Sequence, residues 1–180
     1  MTKSLDLGCG PNPKNLFQAD EVFGIDVRDD LNNPNIKLAD LAIEAIPYED
    51  GAFDYVTAVD FIEHIPRIIY MPQRRQPFVE LMNEIYRVLK PSGLFLSHTP
   101  AFPQAAAFGD PTHVNIIAEH TWSAYFDDVN QWGRIYGFKG AFKILQNEWK
   151  GPHLQTIMQK VYPVPEPAAP AQEPSPAPAS

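Results

Sequence analysis

Two carboxylates and two glycines open the chemistry of this chain. Asp6-Leu7-Gly8-Cys9-Gly10 follows a short apolar run, and Asp26 lies 20 residues after Asp6, at the end of the next such run. Glycines after a strand let the backbone turn sharply and come close to a ligand. An acid about 20 residues on, at the tip of the following strand, is placed to accept two ribose hydroxyls. A dinucleotide fingerprint would need a third glycine where this chain has Pro13. Pro11 and Pro13 also remove two of the amides that a pyrophosphate uses at a helix start. Asp6 would repel a pyrophosphate and attract an ammonium, or it could fix the glycine loop by accepting backbone amides. These features favour a ligand with ribose, adenine and an amino-acid end over one bearing phosphates. Cys9, inside the turn, offers its backbone amide rather than a nucleophile.

Further groups follow. Asp60 comes just after Phe53–Val59, at the strand edge where open α/β sheets bind ligands. Glu63 and His64 come next. His64 could take a proton from a substrate, or the pair could cap and orient its own turn. His113 sits in the long irregular stretch Pro100–His120, with Asp110 close in sequence, where it could contact a substrate. His98, Asp110, His113 and His120 offer no i, i+4 pair and no cysteine support, so no metal site is expected. Arg67, Arg74, Arg75 and Arg87 form a local basic spot of the kind that is usually a solvated face. Trp122, Tyr125 and Phe126, at helical spacing, read as core.

The elements that must position these groups alternate. Strands are expected at Leu5–Gly8, Glu21–Asp26, Ile36–Ala39, Phe53–Val59 and Leu94–Thr99, and a terminal hairpin at Ala141–Trp149 and Leu154–Tyr162 around Lys150-Gly151-Pro152. Helical turns are expected at Pro13–Ala19, Ala42–Ile46 and Thr121–Val129, the last with Thr121 as N-cap. Asp40 could cap the second of these. The clearest helix is Gln76–Lys90, where Phe78, Leu81, Met82, Ile85, Tyr86 and Leu89 make one apolar stripe. Strand–helix alternation predicts an α/β fold: a Rossmann-like, doubly wound, seven-stranded and mostly parallel sheet with an antiparallel C-terminal hairpin.

In this setting LDLGCGPNPK resembles the first motif of class I S-adenosylmethionine-dependent methyltransferases, in the small type 11-like branch. FGID resembles their second, with Asp26 as the ribose acid, and ADL (Ala39–Leu41) their third, which implies Asp40 near the adenine amino group with Leu41 beside it. FDYVTAVDFIEHI is similar to their fourth strand and Glu-His turn, and EIYRVLKPSGLF to the helix–turn–strand that follows. GDPTHVN, with TWSAYFD after it, resembles a block of one subgroup.

The resemblance implies S-adenosylmethionine as cofactor, S-adenosylhomocysteine as product, and in-line methyl transfer to a small molecule or saccharide. The implied cofactor contacts are Asp6, Gly8, Cys9, Gly10, Asp26, Asp40, Leu41 and Asp60, with His64 and His113 as catalytic candidates. The family usually carries helices before the first strand. Here four residues precede Leu5, so Pro100–His120 or a second copy, as a homodimer, is expected to close the cofactor site. The alternative is a protein that keeps the fold and binds the cofactor, or acts as a scaffold, without catalysis.

Composition narrows the setting. The 180 residues carry a net charge of −8, a length that suits a single domain and a sign that suits a phosphate backbone poorly, so no nucleic-acid partner is expected. Seven of the 19 prolines fall in Pro163–Ser180, which reads as a disordered Pro/Ala tail behind a folded unit at 1–162. No apolar run approaches the roughly 20 residues needed to span a bilayer. The start has no signal-peptide pattern. A single cysteine forms no internal disulfide, and a cytoplasmic location is expected.

Overall fold

Apolar runs broken by Gly, Pro and Asx clusters become parallel strands. A computed structural model describes residues 1–162; the segment expected to be a tail, 163–180, lies outside the described residues. The strands are β1 (Lys3–Leu7), β2 (Glu21–Asp26), β3 (Ile36–Leu38), β4 (Phe53–Val59), β5 (Leu89–Phe102), β6 (Ile117–Ala118), β7 (Ala141–Lys150) and β8 (His153–Val161). Their order is β3-β2-β1-β4-β5-β8-β7, with β6 paired onto β5. From β3 through β5 neighbours run parallel, whereas β8 is antiparallel to both β5 and β7. The expected mostly parallel sheet with an antiparallel hairpin is present, and the two-residue β6 makes it eight-stranded rather than seven. The chain winds outward from β1 on one side and from β4 on the other, so the switch point lies between the ends of β1 and β4.

Helix α1 (Pro77–Val88) forms where the stripe predicts it, with Pro77 at its start, and buries Phe78, Leu81, Met82, Ile85 and Val88. It ends two residues before the expected Lys90, so the cation in its last turn is Arg87, which pairs with Glu84 and Asp50. Three rings, Phe78 from α1, Trp122 from α3 (Thr121–Tyr125) and Phe95 from β5, meet edge-on and seal one face of the sheet. A one-turn helix, α2 (Ala106–Gly109), lies between β5 and β6.

Two expected helices do not form, for local reasons. At Pro13–Ala19 the Asn15 side chain takes over, accepting from the Ala19 amide at 2.7 Å and donating to the Ala19 carbonyl at 2.9 Å, which replaces a helical bond by a closed loop. At Ala42–Ile46 only a turn forms. Asp40 Oδ1 accepts from the Ala42 amide at 3.0 Å, and Pro47 stops propagation. The helix expected at Thr121–Val129 stops at Tyr125, with His120 rather than Thr121 at its N-cap. The Thr121 hydroxyl instead accepts from the Ala118 amide. β5 runs well beyond the expected Leu94–Thr99, absorbing the start of the Pro100–His120 stretch.

Candidate functional site

β1 ends on the glycine turn. Gly8 and Gly10 sit at φ of 63° and 62°, the left-handed region that glycine alone enters without strain. A Cβ on Gly8 would lie 2.3 Å from the Phe61 ring. Asp6, 1% exposed, fastens this loop to the sheet: its carboxylate accepts from the Lys14 amide at 2.8 Å and from the hydroxyl of Thr57 on β4 at 2.6 Å. Burial pushes its pKa above the usual carboxylate value. Cys9 is buried beside it, and burial, with Asp6 and then Asp26, raises the thiol to about 11. A thiol so raised stays protonated and is a poor nucleophile near neutrality.

Asp26 ends β2 across from this turn and is 8% exposed. It accepts from the Gly10 amide at 2.8 Å, from the Arg28 amide at 3.1 Å and from Arg28 Nε at 2.9 Å. Burial pushes its pKa up, but the Arg28 side chain and the two amides outweigh this and hold it below the usual value. Asp40, one residue past Ala39 in the loop after β3, caps its own turn, with its amide donating to Glu44 at 2.7 Å. Leu41 enters the hydrophobic core.

Asp60 follows β4 in a left-handed conformation, φ 52°, its amide bonded to the His98 carbonyl at 2.9 Å. Its carboxylate reaches His153 Nε2 at 3.0 Å, and the His153 ring stacks on His98 at 4.5 Å between centroids. Burial, then His153, lowers the His98 pKa. His98 and Thr99 are consecutive on β5 and point to opposite faces. On the Thr99 face lies a second group. The Thr99 hydroxyl donates to Glu63 Oε2 at 2.8 Å, and Glu63 sits in a 3-10 turn (Ile62–His64). One ring nitrogen of His64, one of His113 and one Glu63 oxygen all lie within 4.8 Å of one another. The stretch carrying His113 is anchored to that turn: the Val114 and Asn115 amides both donate to the Glu63 carbonyl, and Asn115 Nδ2 donates to the Ile62 carbonyl.

The sequence-predicted residues thus gather along the ends of β1, β2 and β4, with Asp40 and Leu41 beyond β3. Asp6, Asp40 and Leu41 are held by bonds or packing within the fold. His64 and His113, far apart in sequence, are in edge-to-face ring contact at 4.9 Å. His120 and His98 stand outside this group among the described residues. Sequence reasoning missed Arg28 and His153. The arginine two residues after the acid was a readable signal, whereas His153 reaches the site only through the β5–β8 register. Of the basic spot, Arg75 pairs with Glu80 and Arg67 bonds Asn115. A cavity of about 410 Å³, lined among others by Arg67, Arg74, Phe78, Tyr125 and Tyr136, lies away from the glycine turn. No helix among the described residues is long and apolar enough to cross a membrane.

Comparison with known proteins bears on this geometry. A family profile described as a methyltransferase domain matches residues 5–97. Demethylmenaquinone methyltransferase of Staphylococcus aureus (strain JH9) is 27% identical over 122 residues, 59% of this chain and 46% of that protein. The chain therefore spans about half the length of the curated relatives it matches. Among solved structures, a protein from Pyrococcus horikoshii aligns with a TM-score of 0.61 at 19% identity, over 89% of this chain and 83% of that one. A SAM dependent methyltransferase from Archaeoglobus fulgidus aligns at 0.58 and 17% identity, over 89% and 86%. At these identities the two structures share the fold.

Proposed function

Because the chain belongs to the class I S-adenosylmethionine-dependent methyltransferase family, we propose that it moves a methyl group from S-adenosylmethionine to a small-molecule or saccharide acceptor. The observation that carries this is the corner at the sheet's switch point. Two left-handed glycines end β1, and the Asp26 carboxylate at the tip of β2 is bonded to the second of them. The corner fits an adenosyl group on one condition. A Cβ on Gly10 would meet only Arg28 Nη2, at 3.1 Å, so the space over the turn is held by a side chain that is 51% exposed. Arg28 is half exposed, so water solvates its guanidinium when it leaves Asp26, whose carboxylate is itself buried.

When bound, S-adenosylmethionine supplies a methyl made electrophilic by its sulfonium and leaves as S-adenosylhomocysteine. The chain supplies proximity and alignment. Asp26 would accept the ribose hydroxyls once Arg28 swings out, and Gly8, Cys9 and Gly10 would present backbone at close range. Asp40 and Leu41 would hold the adenine. Asp60 would hold the amino-acid end, with Asp6 holding the glycine loop. His64 and His113 take a proton from an acceptor nucleophile that carries one. Relatives named for demethylmenaquinone support a small-molecule acceptor. A cytoplasmic setting without nucleic acid, and a second copy closing the crevice, belong to the same proposal. Sedimentation with and without S-adenosylhomocysteine tests the dimer.

Calorimetry with S-adenosylmethionine is the direct test: saturable heat is expected, weakened roughly tenfold or more in Asp26→Ala. No heat at millimolar ligand with folded protein overturns the cofactor assignment, and equal binding by Asp26→Ala overturns the ribose role. The alternative is a protein that keeps the fold and holds the cofactor, or acts as a scaffold, without transfer. Saturable binding with no S-adenosylhomocysteine formed above background in cell extract would select it.

A further inference from the structure

Glu63 is 1% exposed, and one of its oxygens, Oε1, has no hydrogen-bond partner among the protein atoms. A buried carboxylate oxygen without a partner is costly, since the group has lost its water and gained nothing in return. Its other oxygen is satisfied by Thr99, so the orphan is not the result of a loosely packed side chain. One oxygen of this carboxyl group also lies within 4.8 Å of a ring nitrogen on each of two imidazoles.

The state of those imidazoles follows from their other bonds. The Thr112 hydroxyl donates to Asp110 Oδ1 at 2.6 Å, so its oxygen is left to accept from His64 Nδ1 at 3.0 Å. In the neutral ring of His64 the proton is therefore assigned to Nδ1, which leaves the lone pair on Nε2. His113 Nδ1 lies 3.2 Å from the Ala107 carbonyl, which can only accept, so His113 too is protonated at Nδ1 and bare at Nε2. An imidazole held by an Nδ1–H bond to a carbonyl or to a carboxylate-backed hydroxyl, with Nε2 free, is the arrangement that orients histidine toward a metal.

From this donor set we infer that Glu63, His64 and His113 bind a divalent first-row transition-metal ion, Zn²⁺ or Fe²⁺ in class. Two imidazoles and one carboxylate suit these ions rather than Mg²⁺ or Ca²⁺, which prefer all-oxygen shells. Three protein ligands leave at least one coordination position open, as in a catalytic rather than a closed structural site. The ligand atoms lie within 4.8 Å of one another, against roughly 3.4 Å in a tetrahedral site at zinc–nitrogen distances. Both rings are only half-buried, so a small movement of the two side chains would close the set. This inference does not rest on methyl transfer, and a bound ion would occupy the Nε2 lone pairs and so supplant the proton-accepting role of the two histidines. It replaces the sequence expectation of no metal, which joined His113 to His98 and His120, both outside this group.

The test uses the full, tag-free chain stripped with a chelator and dialysed. Zn²⁺ is titrated by calorimetry and Co²⁺ by its visible absorption. One equivalent is expected to saturate both. His64→Ala and His113→Ala should each weaken binding at least roughly tenfold. Thr112→Val, which keeps all three ligands and removes the hydroxyl that links Asp110 to His64 Nδ1, should weaken it by a similar factor. Thr112 is exposed, so that variant reports on the site even where a ligand variant fails to fold, and the metal-free denaturation midpoint of each variant checks the fold. Absence of stoichiometric binding, or binding that survives His64→Ala/His113→Ala in a folded double variant, overturns the inference.

Discussion

Gly8 shows how one residue serves both fold and crevice. Its φ of 63° and the Phe61 ring 2.3 Å from any added Cβ both exclude a side chain. Gly8→Ala should lose on the order of 2 kcal/mol, as measured by chemical denaturation, from left-handed strain plus the clash. Arg28 makes the opposite kind of prediction. It pairs with the carboxylate we assign to ribose, so removing it frees the acceptor. Arg28→Ala should tighten S-adenosylmethionine by a few-fold in calorimetry, because the ligand then no longer competes with the guanidinium for the Asp26 carboxylate. Weaker binding would mean that the guanidinium touches the ligand. The glycines and Asp26 were legible in the sequence because strand, turn and acid are fixed by spacing along one stretch of chain. The Asp110–Thr112–His64 relay was not, because it joins side chains across 48 residues of sequence through a hydroxyl whose orientation no spacing encodes.

Among elements, strands were more legible than helices. β2 and β4 take the expected bounds because apolar and β-branched runs pair wherever a neighbour is available. The short helices failed where Asn15 and Asp40 offered the backbone side-chain partners instead. The β5–β8 pairing carries the next prediction. It stacks His153 on His98, and His98 has a lowered pKa through burial, then His153. Below the ordinary imidazole value of about 6.5 the unfolded chain takes up a proton at this position that the folded chain resists. Stability should therefore fall as pH drops below that value, until the folded-state pKa is passed, and rise again on return. In His98→Gln this part of the slope should be lost, as read from urea midpoints taken between pH 7 and 5. An unchanged slope would show that the His98 ring is solvated in solution.

The described residues are organised around one sheet whose central strand ends meet at the proposed crevice. Alternation of element types was enough to predict this architecture, because parallel strands need crossovers and their order is limited by handedness. β6 escaped because two residues carry no pattern. A ligand bridging β1, β2 and β4 touches strands that pair with one another, so its binding should couple to unfolding of the whole domain. At a hundred times its dissociation constant, S-adenosylhomocysteine should add about 2.7 kcal/mol and raise the melting temperature by roughly 5–10 °C in scanning calorimetry. A rise confined to a minor early transition would instead localise binding to a part that opens by itself. The bonds from Val114 and Asn115 to the Glu63 carbonyl, both 2.9 Å, set a clock on the same scale. Amide protons held this way trade with deuterated solvent only when the bond opens. Val114 is exposed, so its surface position alone would let its proton leave at once. Matched slow uptake at 114 and 115 would time how often the histidine-bearing segment lifts from the 3-10 turn, and would show that it lifts as one piece.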